Sequence, residues 1–244
     1  HLSIRRQRQM CIRDSIKEMG GNFLRVSHYP QDPVVMEMCD RLGIVTSVEI
    51  PVVNAVTESD GFLENSVRMV REMIRQDFNH PSVMIWAYMN ETLLRPPYTD
   101  EARTKEYYKA IEHVARTLEE TVRSEDPSRY TMIAFHNAPE RYAAANLTQI
   151  PMIQGWNLYQ GWYEKDITGF ERILDRLHAQ YPDKVLIVTE YGADVDPRLH
   201  SFSPEQFDFS QEYGLVYNRH YLSEMQKRPF IAGSVSYTHL TLPT

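Results

Sequence analysis

The sequence is poor in cysteine: of 244 residues only Cys11 and Cys39 are cysteines, spaced for neither a metal nor a redox pair. No disulfide framework is implied, and the compartment stays open between cytoplasmic and secreted. Long apolar runs are also missing, since no stretch approaches the roughly 20 residues that a membrane span needs. The N-terminus lacks the form of a signal peptide. Positive charge is scarce as well, with 26 Lys and Arg against 33 Asp and Glu and a formal net charge of -7. The only dense basic run is Arg5-Arg6-Gln7-Arg8. Nucleic acid and anionic membranes are therefore excluded as expected partners, and a neutral small molecule fits better. The phosphate-binding loop G-x-G-x-x-G occurs nowhere, which argues against a doubly wound dinucleotide fold. What is present is ordinary for a globular chain: 42% hydrophobic and 24% charged residues supply a substantial core.

The pattern centres on Val83 to Glu91, V-M-I-W-A-Y-M-N-E, an apolar run that ends in an amide and a carboxylate. Such a run, followed by Pro96-Pro97, reads as a buried parallel strand with its chemistry at the C-terminal end. Val185 to Glu190 has the same form. Between and around them the hydrophobic period alternates between that of strands and that of helices. Strands are expected at Asn22–Ser27, Ile44–Ile50, Val83–Met89, Tyr130–Phe135, within Pro151–Tyr159, at Val185–Glu190 and from Phe230.

The first full helix is capped by Asp32-Pro33 and stopped by Gly43, with Val34, Val35, Met38 and Leu42 on one face. Leu63, Val67, Val70 and Ile74 mark the second. Tyr108, Ile111, Ala115, Leu118 and Val122 mark the third, and a short helical piece follows near Glu140–Ala145. Phe170, Ile173, Leu174 and Leu177 mark another, and the last is expected from Pro204 to Gln226. Seven strands alternating with helices predict an α/β protein, an incomplete (β/α)8 TIM barrel whose first strand and last helix are missing. Residues 16–234 are read as one domain. Residues 1–15 and 235–244 do not match the pattern, resemble translated sequencing-adapter read-through, and are read as non-native tails. The two unpaired strand edges predict an aggregation-prone chain.

In a parallel barrel the active site lies where the strands end. That rule selects Arg25 and His28, Glu49, Asn90 and Glu91, His136 and Asn137, Asn157 and Tyr159, and Glu190. Amide, imidazole and carboxylate groups bind sugar hydroxyls, and rings such as Trp156, Trp162 and Tyr163 stack on a pyranose face. Glycosidic hydrolysis needs two carboxyl groups, which Glu91 and Glu190 supply. Bland readings stand beside these. His28 serves structure as readily as substrate, Glu49 braces Arg25 as readily as it touches sugar, His80 in N-H-P-S reads as a locally bonded turn residue, and Trp86 reads as core. The two N-x-T triplets, at Asn90 and Asn146, are too short a signal to assign glycosylation.

Five ordered blocks make the pattern specific: N-F-L-R-V-S-H-Y-P from Asn22, D-R-L-G-I from Asp40, N-H-P-S-V-M-I-W-A-Y-M-N-E from Asn79, W-N-L-Y-Q-G-W-Y from Trp156 and T-E-Y-G-A-D from Thr189. Together they resemble the catalytic barrel of glycoside hydrolase family 2, which includes β-galactosidases, β-glucuronidases and β-mannosidases and retains anomeric configuration. The resemblance implies Glu91 as acid/base, Glu190 as nucleophile and Asn90 as the amide on the substrate 2-hydroxyl. It also implies substrate-binding roles for Arg25, His28, Asn157, Tyr159, Trp162 and Tyr163, with Arg25 and His28 near Glu190. Where the metal-binding galactosidases keep Glu and His, this chain has Val53 and Ala55, so no magnesium, no other metal and no cofactor is expected. The strand-eight tryptophan expected after Ala232-Gly233-Ser234 is absent. The resulting expectation is a retaining exo-β-glycosidase acting on a carbohydrate substrate, of β-galactosidase type because W-N-L-Y-Q-G-W-Y resembles that branch most. β-Glucuronidase and an inactive carbohydrate-binding fragment are the alternatives. The partners expected are the carbohydrate substrate and, for the parent protein, further copies of itself.

Overall fold

A computed structural model describes residues 16–237. The expected tail at 1–15 and the part of the expected C-terminal tail at 238–244 lie outside the described residues. The chain divides into two compact units, with the boundary between Gln154 and Gly155.

The first unit contains β1 (Phe23–Val26), α1 (Pro33–Leu42), β2 (Val45–Glu49), α2 (Asp60–Asp77), β3 (Val83–Asn90), α3 (Glu101–Glu125), β4 (Tyr130–His136) and α4 (Pro139–Ala144). Its strands pair in parallel and in chain order, with Phe23 opposite Val45, Val48 opposite Trp86 and Asn90 opposite Ala134. The helix ends follow the local rules. The Asp32 carboxylate accepts from the Val34 N–H at 3.0 Å, Pro33 opens α1, and Gly43 closes it at φ +63°, a left-handed conformation that costs a glycine little. Ser59 and Asp100 cap α2 and α3 in the same way.

Which face each helix buries departs in places from the expectation. In α1 the buried residues are Val35, Met36 and Cys39, while Val34, Met38 and Leu42 are half-buried. The helix is turned so that Met36 meets Thr46 of β2, whose hydroxyl approaches its sulfur at 3.9 Å. In α3 it is Tyr107, not Tyr108, that is buried. Its hydroxyl accepts from the Val56 N–H at 2.9 Å and donates to the Val56 carbonyl at 3.1 Å, so a buried phenol finds both partners.

At the N-terminal ends of the strands a polar cluster closes the unit. Trp86 is fully buried and its Nε1–H donates to Asp126 at 2.9 Å. Arg129 also meets Asp126, at 2.7 Å, and donates to the carbonyls of Val83 and Phe78. His80 bonds locally through its backbone, with its N–H on the Asp77 carbonyl at 3.1 Å and its carbonyl accepting from the Val83 N–H at 3.2 Å, while its Nδ1 pairs with Asp40, 40 residues away, at 2.6 Å.

β5 (Ile153–Asn157) carries the chain over the unit boundary. The second unit then holds α5 (Gly169–Gln180), β6 (Val185–Tyr191), α6 (Gln211–Gln226) and β7 (Ile231–Ser236). β6 and β7 pair in parallel, with Leu186 opposite Ile231 and Tyr191 opposite Ser236. β7 thus continues through Val235 and Ser236, two residues past the boundary read from the sequence. The last helix begins at Gln211 and not at Pro204, because Phe207 and Phe209 have φ of +67° and +57°, which no right-handed helix admits. Ser210 caps it, accepting from the Tyr213 N–H at 3.0 Å. Its buried face is aromatic. Tyr221 stacks on Phe170, Tyr217 and Tyr191, with ring centroids 3.7, 4.3 and 5.2 Å apart, and donates to the Gln160 carbonyl at 2.8 Å. Among the described residues no helix is long and apolar enough to cross a membrane.

The Asp126 cluster generates a stability prediction. Burial alone would raise the Asp126 carboxyl, but hydrogen bonds from Ser128, Trp86 and Arg129 outweigh it and hold the group well below the usual carboxylate range. A depressed folded value contributes stability that is fully present above the unfolded pKa of about 3.9 and is lost progressively as pH falls from there towards the lower folded value. Asp126→Asn is expected to cost about 3 kcal/mol at neutral pH, because Arg129 loses its charged partner inside the protein. The difference between wild type and variant, measured by denaturant unfolding, should shrink as pH falls below about 4. A difference that stays constant down to pH 3 would show that the carboxylate charge plays no part.

Candidate functional site

In the first unit the C-terminal ends of the strands carry a buried ionic network. Arg25, near the end of β1, is 5% exposed. Its Nε donates to Glu49 Oε2 at 3.0 Å, and its Nη2 donates to Glu49 Oε1 at 3.1 Å and to Asn90 Oδ1 at 2.8 Å. The side chain of His28 is about a quarter exposed and reaches the same carboxylate, with Nδ1 at 2.7 Å from Glu49 Oε1. Glu49, 1% exposed, therefore braces both side chains, the structural role open to it from the sequence. Val53 pairs as an isolated parallel bridge with Asn90, whose N–H donates to the Val52 carbonyl and whose carbonyl accepts from the Asn54 N–H, each at 2.9 Å. Asn90 is thus fixed through both backbone and side chain.

Glu91 follows directly and is half-buried. Its φ is +50°, the left-handed region that costs a residue with a side chain of the order of 1 kcal/mol or more and persists only where its surroundings impose it. Its N–H donates to the Ala134 carbonyl of β4 at 2.8 Å, and its carbonyl accepts from the Leu94 N–H at 2.7 Å, closing a tight turn. At the end of β4, His136 Nδ1 lies 2.5 Å from the Tyr142 hydroxyl, and Arg141 of α4 donates to the Leu93 carbonyl at 2.7 Å. Burial, with the neighbouring Arg141 charge adding to it, lowers His136 to about 4, so the imidazole is neutral at physiological pH. Burial also pushes the Tyr142 phenol well up, and the nearby negative charge of Glu91 adds to that shift. His136 was expected at a strand end; Arg141 and Tyr142 were not, since they lie on the short helix α4 where no apolar run stops.

In the second unit, Glu190 sits at the end of β6 and is 6% exposed. The Tyr159 hydroxyl donates to its Oε2 at 2.8 Å, and the Leu158 N–H binds its carbonyl at 2.8 Å. Asn157 is buried, and its Oδ1 accepts from the Thr189 hydroxyl at 2.7 Å, a partner that sequence reasoning passed over because threonine in a strand is common. The rings read as sugar platforms divide sharply. Trp156 is buried, and Trp162 is 3% exposed, surrounded by Phe207, Phe209 and Tyr213 at centroid distances of 4.8, 5.3 and 6.2 Å. The reason is a tertiary contact: Gln206 donates to the Trp162 carbonyl and Tyr213 to the Gly161 carbonyl, so the 201–209 loop lies over Trp162. Tyr163 is 70% exposed, with its ring 5.0 Å from that of Tyr159.

Among the described residues no group of three or more His, Cys, Asp or Glu is arranged to hold a metal ion.

The strand ends are therefore lined with amides, carboxylates and aromatic hydroxyls, and comparison with known proteins gives this lining a context. The profile described as "Glycosyl hydrolases family 2, TIM barrel domain" matches residues 9–237. A β-glucuronidase of Bacteroides fragilis is 30% identical over 231 residues, covering 90% of this chain and 31% of that protein. The structure of β-glucuronidase 2 of Bacteroides uniformis covalently bound to cyclophellitol-6-carboxylate aziridine is 43% identical, with a TM-score of 0.91 over 96% of this chain and 28% of that one. A putative β-galactosidase from Bacteroides fragilis is 28% identical with a TM-score of 0.79, over 97% of this chain and 33% of that one. The chain spans about a fifth to a third of the length of the curated relatives it matches. The likeness over nearly the whole chain makes the fold that of the (β/α)8 barrel, with seven strands among the described residues, and the chain belongs to glycosyl hydrolase family 2, whose TIM-barrel domain it represents.

Proposed function

We propose that this barrel is the catalytic part of a retaining β-glucuronidase in which Glu190 is the nucleophile and Glu91 the general acid and base. The observation that carries the substrate reading is that relatives matched across most of the chain are β-glucuronidases, among them one captured covalently with a 6-carboxylate compound. The W-N-L-Y-Q-G-W-Y block and the putative β-galactosidase from Bacteroides fragilis favour β-galactosidase as the second reading.

In the proposed reaction a Glu190 carboxylate oxygen attacks the anomeric carbon. The bond to the leaving oxygen breaks as Glu91 gives up its proton, leaving the sugar esterified to Glu190. Glu91, now a carboxylate, takes a proton from water as that water attacks the same carbon, and Glu190 departs as a carboxylate. Double displacement requires the two carboxyl groups at about 5 to 5.5 Å, against about 6.5 to 9.5 Å for inversion. The Tyr159 hydroxyl, donating to Glu190, orients the nucleophile. The Asn90 side chain, whose Oδ1 is held by Arg25, is suited to bind a sugar hydroxyl beside the bond that breaks.

Substrate choice is tested by kcat/KM on 4-nitrophenyl β-D-glucuronide and β-D-galactoside. A preference of about 100-fold or more for the glucuronide is expected, and a preference for the galactoside reverses the order of the two readings. Roles are tested separately. Glu190→Gln should lower kcat by about 10⁴-fold or more and should form no β-glycosyl azide. Glu91→Gln should still form the glycosyl-enzyme from substrates with good leaving groups, and azide should restore turnover as the β-glycosyl azide. Formation of the β-azide by Glu190→Gln would exchange the two assignments, since that product requires a glycosyl-enzyme, whereas the α-azide is the product of direct displacement where the nucleophile is missing. Tyr159→Phe is expected to lower kcat roughly 10- to 100-fold, the value of one hydrogen bond to a charged group; unchanged kcat would remove Tyr159 from the mechanism.

A further inference from the structure

Glu91 occupies a conformation that its own side chain disfavours, φ +50°, and its turn is short: the Leu94 N–H returns to the Glu91 carbonyl at 2.7 Å. A turn of this kind relaxes unless something outside it holds both ends. The entry is held, because the Glu91 N–H is bonded to Ala134 and Asn90 is bonded to Val52, Asn54 and Arg25. The exit is tied by side chains of α4: Arg141 Nη1 donates to the carbonyl of the fully buried Leu93 at 2.7 Å, and the Tyr142 phenol is hydrogen-bonded to the Leu93 backbone.

Arg141 is in turn directed by its neighbours. The same Nη1 lies 3.5 Å from His136 Nε2, and His136 Nδ1 lies 2.5 Å from the Tyr142 hydroxyl. With a neutral imidazole whose Nε2 faces a guanidinium, the proton belongs on Nδ1, which donates to Tyr142. The imidazole then presents an acceptor to Arg141, so the guanidinium has an acceptor on each side, the ring nitrogen and the Leu93 carbonyl.

We propose that Arg141 is a positioning residue for general acid–base catalysis: by clamping the Leu93 carbonyl it fixes the turn from Glu91 to Leu94 and with it the direction in which the Glu91 carboxyl meets the leaving oxygen. This rests on the reading of Glu91 as the acid/base. Arg141 needs no contact with substrate for this role. A carboxyl displaced by about 1 Å loses much of its effect on proton transfer, while the attack by Glu190 is unaffected. The consequence is selective: protonation of the leaving group suffers and nucleophilic attack does not.

The test uses the native enzyme and two glycosides of its preferred sugar, one with a 2,4-dinitrophenyl leaving group and one with an alkyl leaving group, under pre-steady-state conditions. Arg141→Met should lower the glycosylation rate of the alkyl glycoside by about 30-fold or more and that of the dinitrophenyl glycoside by no more than about threefold. KM should change little, and Arg141→Lys, which restores a donor to the Leu93 carbonyl, should recover at least a third of the alkyl rate. A loss of equal size on both substrates, or no loss on either, overturns the inference. If Arg141→Met does not fold, as judged by its thermal melt, Arg141→Gln takes its place with the same expected split. Glu91→Gln is measured on the same pair. If it shows the split and the Arg141 variants do not, the clamp alone is wrong. If Glu91→Gln shows no split, the acid/base reading fails and the inference falls with it.

Discussion

The first unit depends on one buried guanidinium. Arg25 takes a full positive charge out of water, and the cost of that desolvation is offset only because a fork of donors meets the Glu49 carboxylate and a third bond meets Asn90. Each partner belongs to a different strand, so the network ties β1, β2 and β3 together at the ends where the apolar runs stop. Removing Arg25 or Glu49 strips the other of its closest opposite charge inside the protein, which is far more damaging than the pair is stabilising. Asn90 gains a fixed amide from this arrangement, and Glu91 gains a fixed origin for its left-handed turn.

The second unit reaches the same result by different physics. Glu190 is held by a phenol and a backbone amide, and the loops around it are packed through rings. Phe170, Tyr191, Tyr217 and Tyr221 form a stack in which the Tyr221 hydroxyl secures the backbone after β5 by donating to the Gln160 carbonyl, while Phe207 and Phe209 wall in Trp162. Aromatic side chains bury large areas at small rotamer cost, which suits loops that must be rigid without being strands.

Within the first unit, the two ends of the strands divide their labour. The N-terminal ends carry Asp126 with Trp86 and Arg129, and Asp40 with His80, closed pairs that bind segments together. The C-terminal ends carry the Arg25 network, Glu91 and His136. Parallel α/β barrels place stability at the first end and chemistry at the second, and the distribution of polar groups here follows that division.

Sequence by itself determined the parts whose cause is local. Strand runs, proline and aspartate at helix starts and Gly43 at a helix end are written within a few residues of where they act, and they placed every element to within a few residues except the start of α6. The same runs placed Glu91 and Glu190 at strand ends, because a carboxylate cannot continue a buried apolar strand. Tertiary structure alone decided what depends on a distant partner. Val56 selected Tyr107 over Tyr108 for burial, Thr46 received Met36 as α1 turned, Asp40 captured His80, and the 201–209 loop covered Trp162 and delayed α6. Arg141 belongs to this second class: nothing beside it in the chain marks it, and it acquires a role only because folding sets its guanidinium against a carbonyl 48 residues away, in the turn that Glu91 begins.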